Sequence, residues 1–506
     1  MTNKSLLSTG ILVISLIIVG KLIAFSKDIL ISAYFGAGLD TDSYFIALNI
    51  ASILFVAFYS TVSVVFLPLY NEKRQKHNIH VANSYASNAI SIYVVISFII
   101  SFIGFFFASE IVEILSSNNN YERTLLTSNL LKVMVASFIF SVSISFVSSI
   151  QLSNKQYIFP QFAPIINNTI VFFAILIFAS TYGIYVPAIA GVLGWIVQVP
   201  LHLWLVRKNF KYSFYLNIKD KTIKKMGVLF LPAFIGIFAD QVNILVDTVL
   251  ASGLTDGSIS ALNYSNRLIS FSSGIFIMAI MSIMFPIFSE HIEKDDDLSL
   301  NNAIRSSLRV LLIIMVIITS IVLVFHAEIV SIVFERGKFD SVATEKTSSV
   351  FLFYGVGLIF IGLRELFNKI FYAKKDTKTP LWISIISVST NIILSLLLVD
   401  SMGINGLALA SSLSIILYVS IQLFMLNKRI GADFYNGIPA LLLKLLLAAL
   451  LSLFSMFIFK TLYHFSYPII GLICGTSIGI FVYVVALYFL KTDEVIFIKN
   501  KLFKTG

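Results

Sequence analysis

The chain has 506 residues, 58% of them hydrophobic and only 12% charged. A soluble domain carries roughly 25% charged residues, so this chain lacks the polar supply to cover a water-facing surface, which excludes the soluble globular classes. Its net charge of +10 would suggest nucleic acid in a soluble protein, but the placement of the basic residues accounts for it, and no nucleic-acid partner is expected.

Apolar runs recur from residue 6 to residue 490, each near the roughly 20 residues that cross a bilayer as helix. Alternating barrel-strand patterns are absent, which leaves helices as the spanning solution. In chain order, spans are predicted near 6–35, 42–69, 82–109, 125–150, 160–180, 184–206, 226–252, 261–289, 303–325, 344–373, 379–399, 404–427, 436–460 and 467–490. Lys4 precedes the first run and no small-residue cleavage site follows it, so that run reads as a retained span. The single cysteine, Cys474, falls in the last run and reads as a small buried apolar residue. With the N-terminus inside, the cytoplasmic segments hold 22 Lys and Arg, and the outer loops hold four: Arg123, Arg336, Lys338 and Lys460. That asymmetry sets the orientation, both termini cytoplasmic in the inner membrane of a bacterium, and the even span count.

The segment 207–225, with seven basic residues, divides the chain between spans six and seven. An internal repeat supports the division: PLYNE (68–72) returns as PIFSE (286–290), GIYVPAIA (183–190) as GINGLALA (403–410), Lys155 and Pro160 as Lys375 and Pro380, and GLDTDS (38–43) as GLTDGS (253–258). The predicted fold is an all-α membrane protein of about 14 transmembrane helices. An N-lobe (1–206), a basic cytoplasmic linker (207–225) and a C-lobe (226–430) form two pseudo-symmetric six-helix lobes. Residues 431–506 add two further helices and a tail. Repeats of six spans keep the same orientation, so an axis along the membrane normal and a substrate cavity between the halves are expected.

Most intramembrane cations (Lys132, Lys346, Lys369, Lys444, Arg305, Arg309) lie within about two turns of a span end, where they can snorkel. Span one differs. Lys21 falls near its middle, followed by Lys27 and Asp28, and a cation at bilayer centre costs at least about 2.5–3.5 kcal/mol on insertion scales. Lys21 and Asp28 share a helix face, with Lys27 about a quarter turn away. Either Lys21 and Asp28 satisfy one another, or two cations against one carboxylate leave a surplus for an anion. Arg267 enters span eight at a depth of about 9 Å from the outer side, and Lys27 lies at about 12 Å. Arg364 and Glu365 in span ten form a second interior pair, suited to packing, gating or substrate contact. Asp240, Asn243 and Asp247 make a polar stripe on span seven, to which Asn391 of span eleven could add an amide oxygen. A Na⁺ or H⁺ site and plain helix–helix hydrogen bonding are both open for it. Six histidines form no HExxH pattern, His77 and His80 lie in a charged loop, and no Gly-rich phosphate loop occurs. No enzyme, metal or bound cofactor is expected.

At these residues the chain resembles the MurJ/MviN lipid II flippases of the multidrug/oligosaccharidyl-lipid/polysaccharide exporter superfamily. The resemblance runs from about residue 9 to residue 430. It is carried by GKLIAFSKDILISAYFGAGLDTDSYFIA (20–47), the run from Val242 to Glu290, FERGKF (334–339), FYAKKDTKTP (371–380) and GINGLALA (403–410). It implies two six-helix lobes around a cationic cavity, with the last two helices forming a groove for a lipid tail. The family's span-one basic pair corresponds to Lys21 and Lys27, its acids to Asp28 and Asp42, and its span-eight arginine to Arg267. The resemblance also implies a charge in span two, where this chain reads SILFVAFYS (52–60), and an acid where Asn266 stands. The function so implied is movement of a lipid-linked sugar diphosphate, lipid II for peptidoglycan synthesis, to the outer leaflet. Lys21, Lys27 and Arg267 would bind the diphosphate, and Asp28 and Asp42 would orient them or gate the outer side. Membrane potential and Na⁺ or H⁺ are the expected driving forces, and envelope-synthesis proteins are candidate partners. A flippase for another lipid-linked oligosaccharide (capsule, O-antigen or exopolysaccharide), a cation-coupled drug exporter and a non-transporting scaffold are the alternatives.

Overall fold

Inside hydrocarbon the backbone has no partner but itself, and in the computed structural model of the protein helices are the regular secondary structure of the described residues, 3–116, 120–431, 433–463 and 468–493. Side chains at 3–11, 54, 236, 239, 240 and 430 lie outside that description. The first nine helices are α1 (Asn3–Phe35), α2 (Leu39–Lys76), α3 (Ile79–Phe106), α4 (Ala108–Leu115), α5 (Tyr121–Val135), α6 (Ser137–Ser153), α7 (Phe162–Tyr182), α8 (Tyr185–Val206) and α9 (Lys221–Ser252). The others are α10 (Ser258–Glu293), α11 (Asp297–Phe334), α12 (Ser341–Val356), α13 (Leu358–Ala373), α14 (Lys378–Met402), α15 (Ile404–Ile430), α16 (Ile438–Leu462) and α17 (Pro468–Phe489).

Eleven stretches are long and apolar enough to cross a membrane, and the pair α12 and α13, bent by 47°, makes a twelfth. Helices α1 and α9, of 33 and 32 residues, are each about 48–50 Å long at 1.5 Å per residue, ample for the same task. These account for the expected fourteen spans. Three expected spans have an internal break. Span four is α5 plus α6, joined at Ala136, and span ten breaks at Gly357. Span nine, expected to end at residue 325, runs on to Phe334 through a kink at Phe325 (φ −109°, ψ 21°).

Two compact units divide the packing, one formed by residues 1–260 with 336–339, the other by 261–335 with 340–506. In the first, α2 runs through the middle and packs on α3, α5, α6 and α9, while α1 lies on α7. Small residues on α6 (Ser141, Ser145, Ser149) are buried and let α2 come close, with Ser145 donating to the Tyr59 carbonyl at 2.7 Å. An aromatic core that includes Phe58, Phe66, Tyr85, Phe146 and Phe210 fills the expected cytoplasmic half. In the second unit α11 is central and carries α12, α13, α16 and α17, and α14 pairs with α15.

The sequence repeat is visible in the backbone. Lys155 and Lys375 both adopt left-handed φ, 61° and 59°, each ending a helix in the same pair of turns. Lys155 N–H donates to the Leu152 carbonyl and Gln156 N–H to that of Gln151, as Lys375 does to Tyr372 and Asp376 to Phe371. This is the Schellman arrangement, with lysine at the position glycine usually takes. Gly183 and Gly403 likewise share one conformation, with φ of 61° and 57°.

Candidate functional site

Three groups of residues stand out: an ionic cluster at the expected outer end of the first unit, the charges of α1, and an apolar furrow in the second unit.

The outer cluster is built on helix ends. Gly38 starts α2 with its N–H donating to Thr41 Oγ1 at 3.0 Å, and Asp42, a residue further on, does not cap its own helix. Its carboxylate caps another one instead. Oδ2 accepts from Gly257 N–H at 2.8 Å, and Oδ1 accepts from Ser260 N–H at 2.8 Å and Ser260 Oγ at 2.6 Å. A negative charge thus sits on the positive end of α10. Arg123, early in α5, treats the neighbouring helix end in the opposite sense. Its Nη1 donates to the Ser252 carbonyl at the end of α9, at 2.9 Å, and its Nη2 pairs with Asp256 and lies 3.9 Å from Asp42. The side chains of Asp42 and Arg123 are 1% and 2% exposed. A buried carboxylate and a buried guanidinium are tolerable here because each has several partners.

The loops around the cluster are held by close backbone approach. Gly257 has φ +83°, and a Cβ there would lie 2.7 Å from the Ala37 carbonyl oxygen. Gly337 has φ +61°, and its Cβ would lie 2.2 Å from the Ala33 carbonyl oxygen, the same oxygen that accepts the Lys338 N–H at 2.9 Å. The motifs GAGLDTDS, GLTDGS and FERGKF therefore meet in space. Sequence reasoning found Asp42 but counted Arg123 among loop cations and passed over Asp256. The available signal was that an arginine on the outer side runs against the lysine asymmetry.

In α1, Lys27 Nζ lies 3.2 Å from Asp28 Oδ1, and Asp28 is 5% exposed. Of the two readings open from the helical wheel, the Lys21–Asp28 pair gives way to the adjacent residue, because a lysine stem can bend back over one position. Among the described residues Lys21 has no carboxylate in ion-pair range. Arg267 lies in the second unit and is exposed. Because α10 starts at Ser258, it sits about 14 Å along the helix, deeper than the expected 9 Å. Arg364 and Glu365 pair at 3.2 Å, with the guanidinium 5.9 Å from the Tyr418 ring. On α9, Asp247 is buried and Asn243 Oδ1 is buried with no hydrogen-bond partner among the described residues. The side chain of Asp240 lies outside the described residues. Asn391 is fully buried, donating to Ser411 Oγ at 3.1 Å and accepting from Ser395 at 3.5 Å.

The furrow in the second unit has a volume of about 1060 Å³ and is lined by α11, α16 and α17, with Val324, Leu450, Phe454, Phe457, Phe481 and Phe489 among its walls. Every lining residue is Leu, Val, Phe or Ala. The kink at Phe325 lies beside it. Lys460 of α16 donates to the Val324 carbonyl at 2.9 Å and pairs with Glu328 at 2.8 Å, which satisfies a backbone group that the kink exposes.

Residues 31–505 match the family model described as Lipid II flippase MurJ. The chain belongs to the MurJ family. It is 28% identical to the probable lipid II flippase MurJ of Buchnera aphidicola subsp. Baizongia pistaciae over 481 residues, 91% of this chain and 90% of that one. It is 26% identical to that of Borreliella burgdorferi over 469 residues, 92% of this chain and 90% of the relative. Its fold matches a solved lipid II flippase MurJ in an inward closed conformation, with TM-score 0.81 and 25% identity, covering 94% of this chain and 98% of the other. An inward-facing multidrug transporter of the MATE family matches the fold alone, at TM-score 0.70 and 11% identity. MurJ-family membership gives the grouped motifs of the outer cluster a common context: all three belong to the stretch that the family model covers.

Proposed function

We propose that this chain is a transporter that carries a polyprenyl-diphosphate-linked sugar, lipid II for peptidoglycan synthesis, from the inner to the outer leaflet by alternating access. The observation that carries this reading is the match to lipid II flippases along nearly the whole chain. The physical task is to move a charged, hydrated headgroup past hydrocarbon while its tail stays in apolar surroundings. Lys21, Lys27 and Arg267 are the candidate cationic ligands of the diphosphate. Among them Lys21 has the most charge to offer, since Lys27 shares its own with Asp28. The furrow on α11, α16 and α17 suits the tail. The Asp42–Arg123–Asp256 cluster acts as the outer closure and must part for release. Asp240, Asn243 and Asp247 are the candidate site for a coupling Na⁺ or H⁺, with Asn391 already engaged by two serines. An inside-negative potential favours outward movement of an anion by about 2.3 kcal/mol per charge per 100 mV. The orientation is N- and C-termini in the cytoplasm, in the inner membrane, as the lysine asymmetry requires.

Replacement of an essential lipid II flippase by this gene is the test. Growth is expected, with loss of growth for Lys21→Gln and Arg267→Gln at unchanged membrane levels. No growth despite normal insertion would favour a flippase for another lipid-linked oligosaccharide, a reading to which the uncharged SILFVAFYS segment of α2 and Asn266 lend weight. Full growth of both variants would remove these side chains from the binding role.

A further inference from the structure

The stretch between α8 and α9 is not a slack linker. Phe210 is 2% exposed and belongs to the aromatic core of the first unit. From there the chain runs along α3, against a stripe of polar residues at helical spacing. Asn83 donates to the Asn209 carbonyl at 2.8 Å, Asn88 donates to the Asn217 carbonyl at 3.0 Å and accepts from Asn217 N–H at 2.7 Å, and Ser91 lies 2.9 Å from the Tyr212 hydroxyl. The N–H groups of Ser213 and Tyr215 point at Ser87 and Ser91, at 3.4 and 3.5 Å. Ser87, Asn88 and Ser91 are otherwise buried, so α3 commits interior polar groups to holding this strap in place.

What the strap presents outward is apolar and basic together. Phe214 and Leu216 alternate along the non-helical stretch, which puts them on one side, and Ile218 follows at the turn over 217–220; the three are 74%, 44% and 64% exposed. Around them stand Lys208, Lys211, Lys219, Lys221 and Lys224, all exposed and, among the described residues, without a carboxylate in ion-pair range. The one acid of the segment, Asp220, is used as the N-cap of α9, accepting from Thr222 and Ile223. Lys221, Lys224 and Lys225 then crowd the positive end of that helix, where cations are unfavourable. An anionic surface would offset that cost. The strap joins the ends of two membrane spans on the face assigned to the cytoplasm, so it lies at headgroup level.

From this geometry we infer that residues 208–224 form a built-in docking strap for the anionic lipid headgroups of the cytoplasmic leaflet. Phe214 and Ile218 enter the interface, and the five lysines meet phosphates. The occupant is the bilayer surface itself, independent of any transported cargo.

The test uses the full-length protein carrying Cys474→Ser and Ile218→Cys, labelled with an environment-sensitive NBD probe, in nanodiscs of phosphatidylcholine with or without phosphatidylglycerol. The expected result is a several-fold rise in emission when phosphatidylglycerol is present, quenched by spin-labelled lipid. Molar salt or the substitutions Lys208→Gln, Lys211→Gln, Lys219→Gln and Lys221→Gln together are expected to abolish the rise. Salt serves as the arm that needs no variant to fold. Water-like emission in both disc types would overturn the proposal, as would lipid-like emission indifferent to phosphatidylglycerol and salt. A rise seen only on adding cytosolic protein would assign the strap to a soluble partner and would also overturn it. None of these readouts depends on transport.

Discussion

The two ends of the first unit handle charge in opposite ways. At the expected outer end Asp42 and Arg123 are locked to two helix termini and all but removed from solvent, while Asp256, paired with Arg123, is 55% exposed. At the expected cytoplasmic end Glu72 bridges Lys76 and Lys225 at 2.8 and 3.1 Å, with all three side chains substantially exposed. Both ends hold ion pairs, yet only Asp42 and Arg123 are committed, because burial makes an orphaned partner costly whereas water takes over at once from a lost surface partner. An ion pair can therefore act as a closure only where it is dry.

The contrast can be broken most severely with Arg123→Ala, which removes the guanidinium facing Asp42 and Asp256 and its bond to the Ser252 carbonyl. A loss of about 3–5 kcal/mol is expected, read as a large fall in the thermal midpoint in detergent. Asp42→Asn keeps one acceptor oxygen but removes its charge, and about 1.5–3 kcal/mol should go. Gly257→Ala forces an L side chain into positive φ against the Ala37 carbonyl and should cost about 1–3 kcal/mol. At the other end Lys225→Ala should leave the midpoint unchanged. A drop as large as that of Arg123→Ala would show that exposure does not separate the two ends.

The helices were legible because length and hydropathy are local properties. Asp42 was legible as a family acid, but its role was not: its partners at Gly257 and Ser260 lie more than two hundred residues away, and nothing in GLDTDS says that its acid caps a different helix. The repeat held the clue. In GLTDGS the residue at the register of Asp42 is Gly257, whose bare amide is what the carboxylate takes. Arg123 was hidden by its surroundings, since a polar stretch before an amphipathic turn reads as loop whether or not the guanidinium is later buried. On α1 the wheel left a Lys21–Asp28 pair open beside a surplus of cations, and it is Lys27 that pairs with Asp28, because wheels treat side chains as rigid spokes. The furrow was invisible for another reason. Leu and Phe on α16 and α17 have the same pattern whether they face open lipid or a groove.

That furrow has no hydrogen-bonding side chain anywhere along its walls. A hydrocarbon lying in it would meet no fixed point from which its extent could be measured, so it would be admitted by girth and stiffness alone. Prenyl carriers of different lengths should thus be accepted alike, and any discrimination among cargoes must be made at the headgroup.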